Sequence, residues 1–160
     1  LYNDSLIFDI GSHLGNSALA LSYNETNIVY SFDLIDKISS IKKEQLYGPS
    51  DIPNIKFLID DLFNNEIRYK YKKILLMSKI IFIDVDPHNG EMEYDICYYL
   101  KDINYQGLLI FDDIHWSDEM EEAWEFIKNH ERVTSTIDLF FIGIVFFRKE
   151  LSKENFILSF

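Results

Sequence analysis

Five short apolar runs rich in Ile, Leu, Val and Phe recur at residues 6–10, 28–32, 55–59, 80–83 and 107–111, with more polar stretches between them. Runs of this length and content predict strands, and the helix-compatible segments between them predict βαβ units. The first run, LIFDI, is almost wholly apolar, as expected of a parallel strand covered by helices on both faces. Residues 36–47 and 61–73 read as helices, and Gly48-Pro49-Ser50-Asp51-Ile52-Pro53 as a loop.

Residues 91–101 and 117–129 place Met92, Ile96, Tyr99 and Leu100, then Met120, Ala123, Trp124 and Ile127, at spacings of three and four. These are amphipathic helices, the second with a capped start at Ser117 ahead of Met120 and Glu121. Residues 133–147 hold two apolar halves with no helix between them and a turn at Asp138 or Gly143, which predicts an antiparallel pair closing the sheet. The expected fold is a Rossmann-like three-layer α/β/α sandwich, with a mostly parallel seven-stranded sheet and a C-terminal antiparallel hairpin. No repeat or linker divides residues 1–160, which read as a single domain; a strand so near the start, without an initiator Met, leads us to expect missing N-terminal residues.

The 160 residues are 48% hydrophobic and 16% aromatic, enough for a packed core. Twenty-seven acids against 15 Lys and Arg give a formal charge of −12, which opposes a broad grip on nucleic acid or anionic membrane and suits a small or cationic ligand. The helix aromatics Tyr94, Tyr98, Tyr99, Trp124 and Phe126 are accordingly read as core and interface. Cys97 is the single cysteine and no apolar run reaches membrane-spanning length, so the expected setting is the reducing cytoplasm.

Candidate chemistry sits at the strand ends. Each of the five runs stops at an acid: Asp9, Asp33, Asp60 with Asp61, Asp84 with Asp86, and Asp112 with Asp113. In an open α/β sheet, ligands bind outside the carboxyl ends of the strands. Asp also caps helices and starts turns, but five in succession favour a site. The turn after the first strand, Gly11-Ser12-His13-Leu14-Gly15, has His13 where a dinucleotide-binding turn needs its middle glycine. Acids suit the sulfonium and ammonium groups of S-adenosylmethionine better than an anionic pyrophosphate, and Asp33 can bind ribose hydroxyls in either case.

With these features the chain resembles the class I S-adenosylmethionine-dependent methyltransferases, in particular small-molecule O-methyltransferases of the catechol and macrocin type. DIGSHLGNSA is similar to the family's acid-x-Gly-x-x-x-Gly-x-Ser turn, YSFDL to its ribose-binding second strand, and IKFLIDDLF to its adenine-side segment. IFIDVDPHNGEMEYDICYYL and YQGLLIFDDIHW resemble its fourth and fifth strands. The resemblance implies cofactor binding by Asp9, Gly11, Ser12, His13, Gly15, Ser17, Asp33, Asp60, Asp61, Leu62 and Asp84. It also implies a divalent cation, Mg²⁺ by choice, on Asp84, Asp112 and Asp113, whose hard oxygens suit such an ion.

The catechol type places a Lys base where this chain has Pro87, and Gln106 replaces one glycine of a family pair ahead of Gly107. His88 is therefore the first candidate for the base and His115 the second, with Asp84 completing the catalytic set. Trp116 is a candidate wall for a substrate pocket, whereas His130 reads as solvated. The function implied is methyl transfer to a hydroxyl of a small molecule, a sugar among the candidates, with no nucleic-acid or membrane partner and homodimerisation compatible. The alternatives are a catalytically silent methyltransferase-like binding domain and, further off, a nicotinamide-dependent oxidoreductase.

Overall fold

The structure is a computed structural model that describes residues 4–35, 52–62, 64–84, 105–150 and 152–158. The helices expected at 36–47 and 91–101, most of the 48–53 loop, Asp86, Pro87, His88 and Cys97 lie outside the described residues. The chain divides into two compact units, Leu1–Lys79 and Ile80–Phe160.

In the first unit β1 (Leu6–Ile10), β2 (Ile28–Asp33) and β3 (Ile55–Ile59) pair in parallel in the order β3-β2-β1, with Asp9 opposite Ser31 and Asp33 opposite Ile59. Ile7, Phe8 and Ile10 are buried, as the almost wholly apolar run of β1 requires. Phe8 stacks on Tyr30 and Phe32 at 5.6 and 5.4 Å, and Phe32 meets the edge of Tyr71 at 5.0 Å. Burial of one such ring contributes roughly 1.5–3 kcal/mol.

A short helix, α1 (Asn16–Leu21), follows β1, and the longer α2 (Asn65–Met77) follows β3. The sequence pattern starts α2 at residue 61; the structure starts it four residues later. Asn64 wins the cap position because its side-chain oxygen accepts from Glu66 N at 2.9 Å, satisfying an amide that the helix itself leaves unpaired. Ser78 ends the helix, its hydroxyl donating to Leu75 O at 2.7 Å.

The second unit contains β4 (Ile80–Ile83), β5 (Leu108–Asp112), α3 (Asp118–Asn129), β6 (Ser135–Asp138), β7 (Ile142–Phe146) and β8 (Glu154–Ile157), its strands in the order β4-β5-β7-β6-β8. β4 and β5 are parallel, and β7 is antiparallel to both β5 and β6, as the two apolar halves predict. Ser117 caps α3 by accepting from Met120 N at 3.3 Å. Met120, Ala123, Trp124 and Ile127 form the buried face of that helix.

Gly143 does not make the turn. It sits inside β7, where a Cβ would lie 2.8 Å from the Trp124 ring and 2.9 Å from Ile114 Cγ2. The turn instead uses Asp138, whose Oδ1 accepts from Phe140 N at 2.8 Å, and Phe140 takes the left-handed φ of 73°.

The expected hairpin does not close the sheet either, because β8 adds an exposed edge strand parallel to β6, with Ile137 opposite Phe156. Eight strands are thus present among the described residues, in a Rossmann-like α/β fold that is mostly parallel with antiparallel C-terminal strands. Among the described residues no helix is long and apolar enough to cross a membrane.

Candidate functional site

In the first unit the turn after β1 is held down against the end of β2. Gly11 N and Ser12 N both donate to Phe32 O at 2.9 Å, and Gly15 N closes the turn onto Ser12 O. Gly11 (φ 90°), His13 (φ 44°) and Gly15 (φ 84°) are all left-handed, a conformation that costs a glycine little and a side-chain-bearing residue more. Asp33 offsets the cost at His13: its Oδ2 accepts from His13 N at 2.7 Å, while Oδ1 accepts from Ile35 N at 3.0 Å. An ionised carboxylate has about four acceptor positions, so two of those on Asp33 remain for the hydroxyls of a ligand. Ser12 is buried, and Ser17 lies in the first turn of α1.

Asp9 lies beneath this turn with no exposure to solvent. Ser31 Oγ donates to its Oδ2 at 2.7 Å, but Oδ1 is buried without a hydrogen-bond partner. Burial pushes the Asp9 carboxyl above its ordinary value, and the neighbouring Asp33 adds to this; the Ser31 and Ser17 hydroxyls and His13 act in the other direction without outweighing it. A buried, unpaired carboxylate oxygen costs free energy unless a donor or a cation reaches it.

The acids after β3 divide in role. Asp60 Oδ2 accepts from Tyr71 Oη at 2.8 Å and from Lys70 Nζ at 3.0 Å, so this carboxylate tethers α2; the Tyr71 hydrogen bond, then Lys70, holds it below its usual range. Leu62 is buried and its carbonyl accepts from Arg68 Nε at 2.8 Å. Asp61 is half-buried at the mouth of the same segment.

The acids of the second unit do not form the expected metal centre. Asp84 is half-buried after β4. Asp112 Oδ1 turns back to accept from Asp113 N at 3.0 Å, and burial raises its carboxyl above the ordinary value. Asp113 is itself left-handed (φ 53°). Among the described residues no three His, Cys, Asp or Glu side chains stand together as a metal-holding group, so the triad of Asp84, Asp112 and Asp113 is not assembled.

Of the candidate bases, His88 lies outside the described residues and His115 is bridged. Its Nε2 lies 2.9 Å from Asp138 Oδ2 and its Nδ1 3.2 Å from Glu121 Oε1. Burial alone would lower the imidazole pKa, but the two carboxylates raise it above the usual histidine value, which favours the proton-bound form over a proton acceptor. His130 corrects the solvated reading. It is buried at the end of α3, its Nδ1 accepts from Arg132 N at 3.2 Å, and its carbonyl accepts from Lys153 Nζ at 2.7 Å. Trp116 stands out in solvent, 76% exposed.

Sequence reasoning missed the partners: Ser31 for Asp9, Tyr71 for Asp60, and Asp138 with Glu121 for His115. The available signal was a polar residue, Ser31, inside the apolar run of β2.

No family model matches the chain, and no curated protein matches it in sequence. Solved structures match its fold. The SAH-bound methyltransferase PaMTH1 of Podospora anserina is 15% identical, with a TM-score of 0.66 covering 91% of this chain and 72% of that one. The methyltransferase MycE of the mycinamycin biosynthetic pathway, in complex with Mg, SAH and mycinamycin VI, is 13% identical at a TM-score of 0.61, covering 88% and 44%. The fibrillarin/Nop5p complex is 16% identical at 0.59, covering 91% and 72%. The chain has the fold of the S-adenosylmethionine-dependent methyltransferases.

Proposed function

We propose that this chain binds S-adenosylmethionine through the turn after β1 and transfers its methyl group to a hydroxyl oxygen of a small molecule. The observation that carries the reading is Asp9 Oδ1, an acceptor buried under the turn without a partner. A ligand bearing an ammonium and a sulfonium supplies the missing positive charge, whereas a pyrophosphate would add repulsion at the same place. The fit extends to Asp33, whose spare acceptor positions suit a ribose diol, and to the half-buried Asp61 for the adenine side. SAH in PaMTH1 and in MycE, on the same fold, supports this choice of ligand.

The bound sulfonium supplies an activated methyl group. The chain holds the ribose at Asp33 and neutralises the methionine end at Asp9. A substrate oxygen then forms its bond to carbon as the carbon–sulfur bond breaks, and the hydroxyl proton passes to a base, which this reading assigns to His88. No step is assigned to a metal, because Asp84, Asp112 and Asp113 are not grouped to hold one.

A second reading, a binding domain without turnover, is favoured by Pro87 at the position of the resembled family's Lys base and by that ungrouped triad. Calorimetry with S-adenosylhomocysteine tests the proposal. Saturable binding supports it, and NADH binding without any response to S-adenosylhomocysteine overturns it. Binding with no methyl transfer to any hydroxyl acceptor selects the second reading.

A further inference from the structure

At the end of β5 remote from Asp112, the second unit carries an open cavity of about 540 Å³ lined by Gln106, Phe147, Arg148, Lys149 and Glu150. In a chain of charge −12, two adjacent exposed cations here call for an explanation. Among the described residues neither Arg148 nor Lys149 takes part in an ion pair.

A third cation stands behind them. Arg132 Cζ lies 5.5 Å over the Phe147 ring that lines the cavity, and its Nη2 donates to Tyr105 O at 2.8 Å. Arg132 Nη1 is buried with no acceptor, so a donor behind this cavity is left unsatisfied.

Glu150 limits what the ligand can be. Its carboxylate lines the same cavity, repels a second anionic group, and is suited to accept hydrogen bonds from hydroxyls. The volume lies within the roughly 300–1,000 Å³ of small-molecule sites and exceeds what a lone phosphate fills. We propose that this cavity binds a phosphorylated sugar, its phosphate held by Arg148 and Lys149 and its hydroxyls by Glu150. The cavity shares no residue with the turn after β1, and its existence does not rest on the methyl-transfer reading.

Ribose 5-phosphate, inorganic phosphate and ribose, each titrated into the amide NMR spectrum of the full chain, test it. Ribose 5-phosphate should shift the amides of Arg148, Lys149 and Glu150 saturably. The double variant Arg148→Ala/Lys149→Ala should weaken that binding by about tenfold or more, the scale of lost charge-assisted hydrogen bonds. Glu150→Ala should weaken ribose 5-phosphate several-fold, roughly the worth of one hydrogen bond, without weakening inorganic phosphate.

All three positions are exposed, so unchanged melting temperatures should accompany these effects. Absence of a saturable shift, undiminished binding by the double variant, or inorganic phosphate binding as tightly as ribose 5-phosphate overturns the assignment.

Discussion

His115 Nε2 and Asp138 Oδ2, 23 residues apart in the chain, meet at 2.9 Å, and Trp124 Nε1 donates to the same oxygen at 3.3 Å. One buried carboxylate thus fastens the loop after β5 and the helix α3 to the β6–β7 turn. Phe140, whose ring lies 5.5 Å from that of His115, is held in its left-handed conformation by the other oxygen of Asp138.

The bridge predicts how stability varies with pH. The His115 pKa is raised in the folded state, so its contribution is complete below the unfolded histidine value of about 6.5 and is lost as pH rises through the folded value. Asp138 is lowered: backbone, His115 and Trp124 hydrogen bonds overcome a burial effect that alone would raise it, so its contribution is lost only as pH falls through the lowered value. The two overlap in mildly acid solution. His115→Asn should cost about 1–3 kcal/mol in urea melts near pH 5.5, as expected for breaking a partly buried charged hydrogen bond, and distinctly less near pH 9. An equal loss at both pH values would mean that His115 acts through packing alone.

Gly143→Ala tests the close approach of Trp124 to β7. A Cβ at 2.8 Å from a ring buried to 1% exposure cannot be relieved by rotating a flexible side chain. Overpacking of this kind costs roughly 1–3 kcal/mol, and in a chain of this size 1 kcal/mol moves Tm by about 2–4 °C. Thermal melts followed by Trp fluorescence should show the fall.

β1 and β4 were legible to the residue because strands covered on both faces are written as nearly continuous apolar runs, and β3 was legible although Lys56 interrupts its run and its burial is only partial. The turn at Gly11 to Gly15 was legible from an acid-terminated run followed by spaced glycines, whereas their left-handed φ was not read. What failed was competition between like signals and pairing across distance. Asp61 and Asn64 both resemble helix caps, and only the hydrogen bonds made at Asn64 decide between them. β8 carries no alternation, since all four of its residues are exposed at an edge and register alone defines it. Counting carboxylates after strands found Asp84, Asp112 and Asp113 but could not tell that Asp112 turns onto its neighbour's amide. Ser31 and Asp138 become partners of Asp9 and His115 only once strand register brings them there.

Asp9→Asn should separate stability from ligand binding. Because burial raises the folded Asp9 pKa, ionising this group costs stability as pH rises through that value; its favourable contribution exists only at lower pH. The neutral amide should therefore raise Tm near pH 7.5 and change it little near pH 4. The same variant should bind S-adenosylhomocysteine more weakly, having lost the charge that meets the ammonium. A variant that melts lower at pH 7.5 and binds normally would show that the Asp9 charge serves the fold.

His88→Ala tests the base. Turnover should fall by roughly 10²–10⁴ with S-adenosylhomocysteine affinity unchanged, because general-base catalysis acts in the transition state. In the parent the rate should rise with pH through the imidazole range near 6.5, since only the neutral ring accepts a proton. Parental turnover with an unaltered pH profile would remove His88 from the reaction.

Asp33→Ala carries two consequences that a single titration can resolve. The carboxylate accepts from His13 N and Ile35 N, so its loss frees the turn as well as deleting acceptors for the ribose. Loss of charge-assisted hydrogen bonds to the diol should weaken S-adenosylhomocysteine by about 1.5–3 kcal/mol, roughly ten- to a hundred-fold. Asp33→Asn retains an acceptor for the backbone but only a neutral one for the diol, so it should keep the amide exchange protection of His13 while recovering little affinity. If Asp33→Asn binds as tightly as the parent, Asp33 works by shaping the turn; if both variants bind weakly while only Asp33→Ala loses protection at His13, the carboxylate meets the ligand itself.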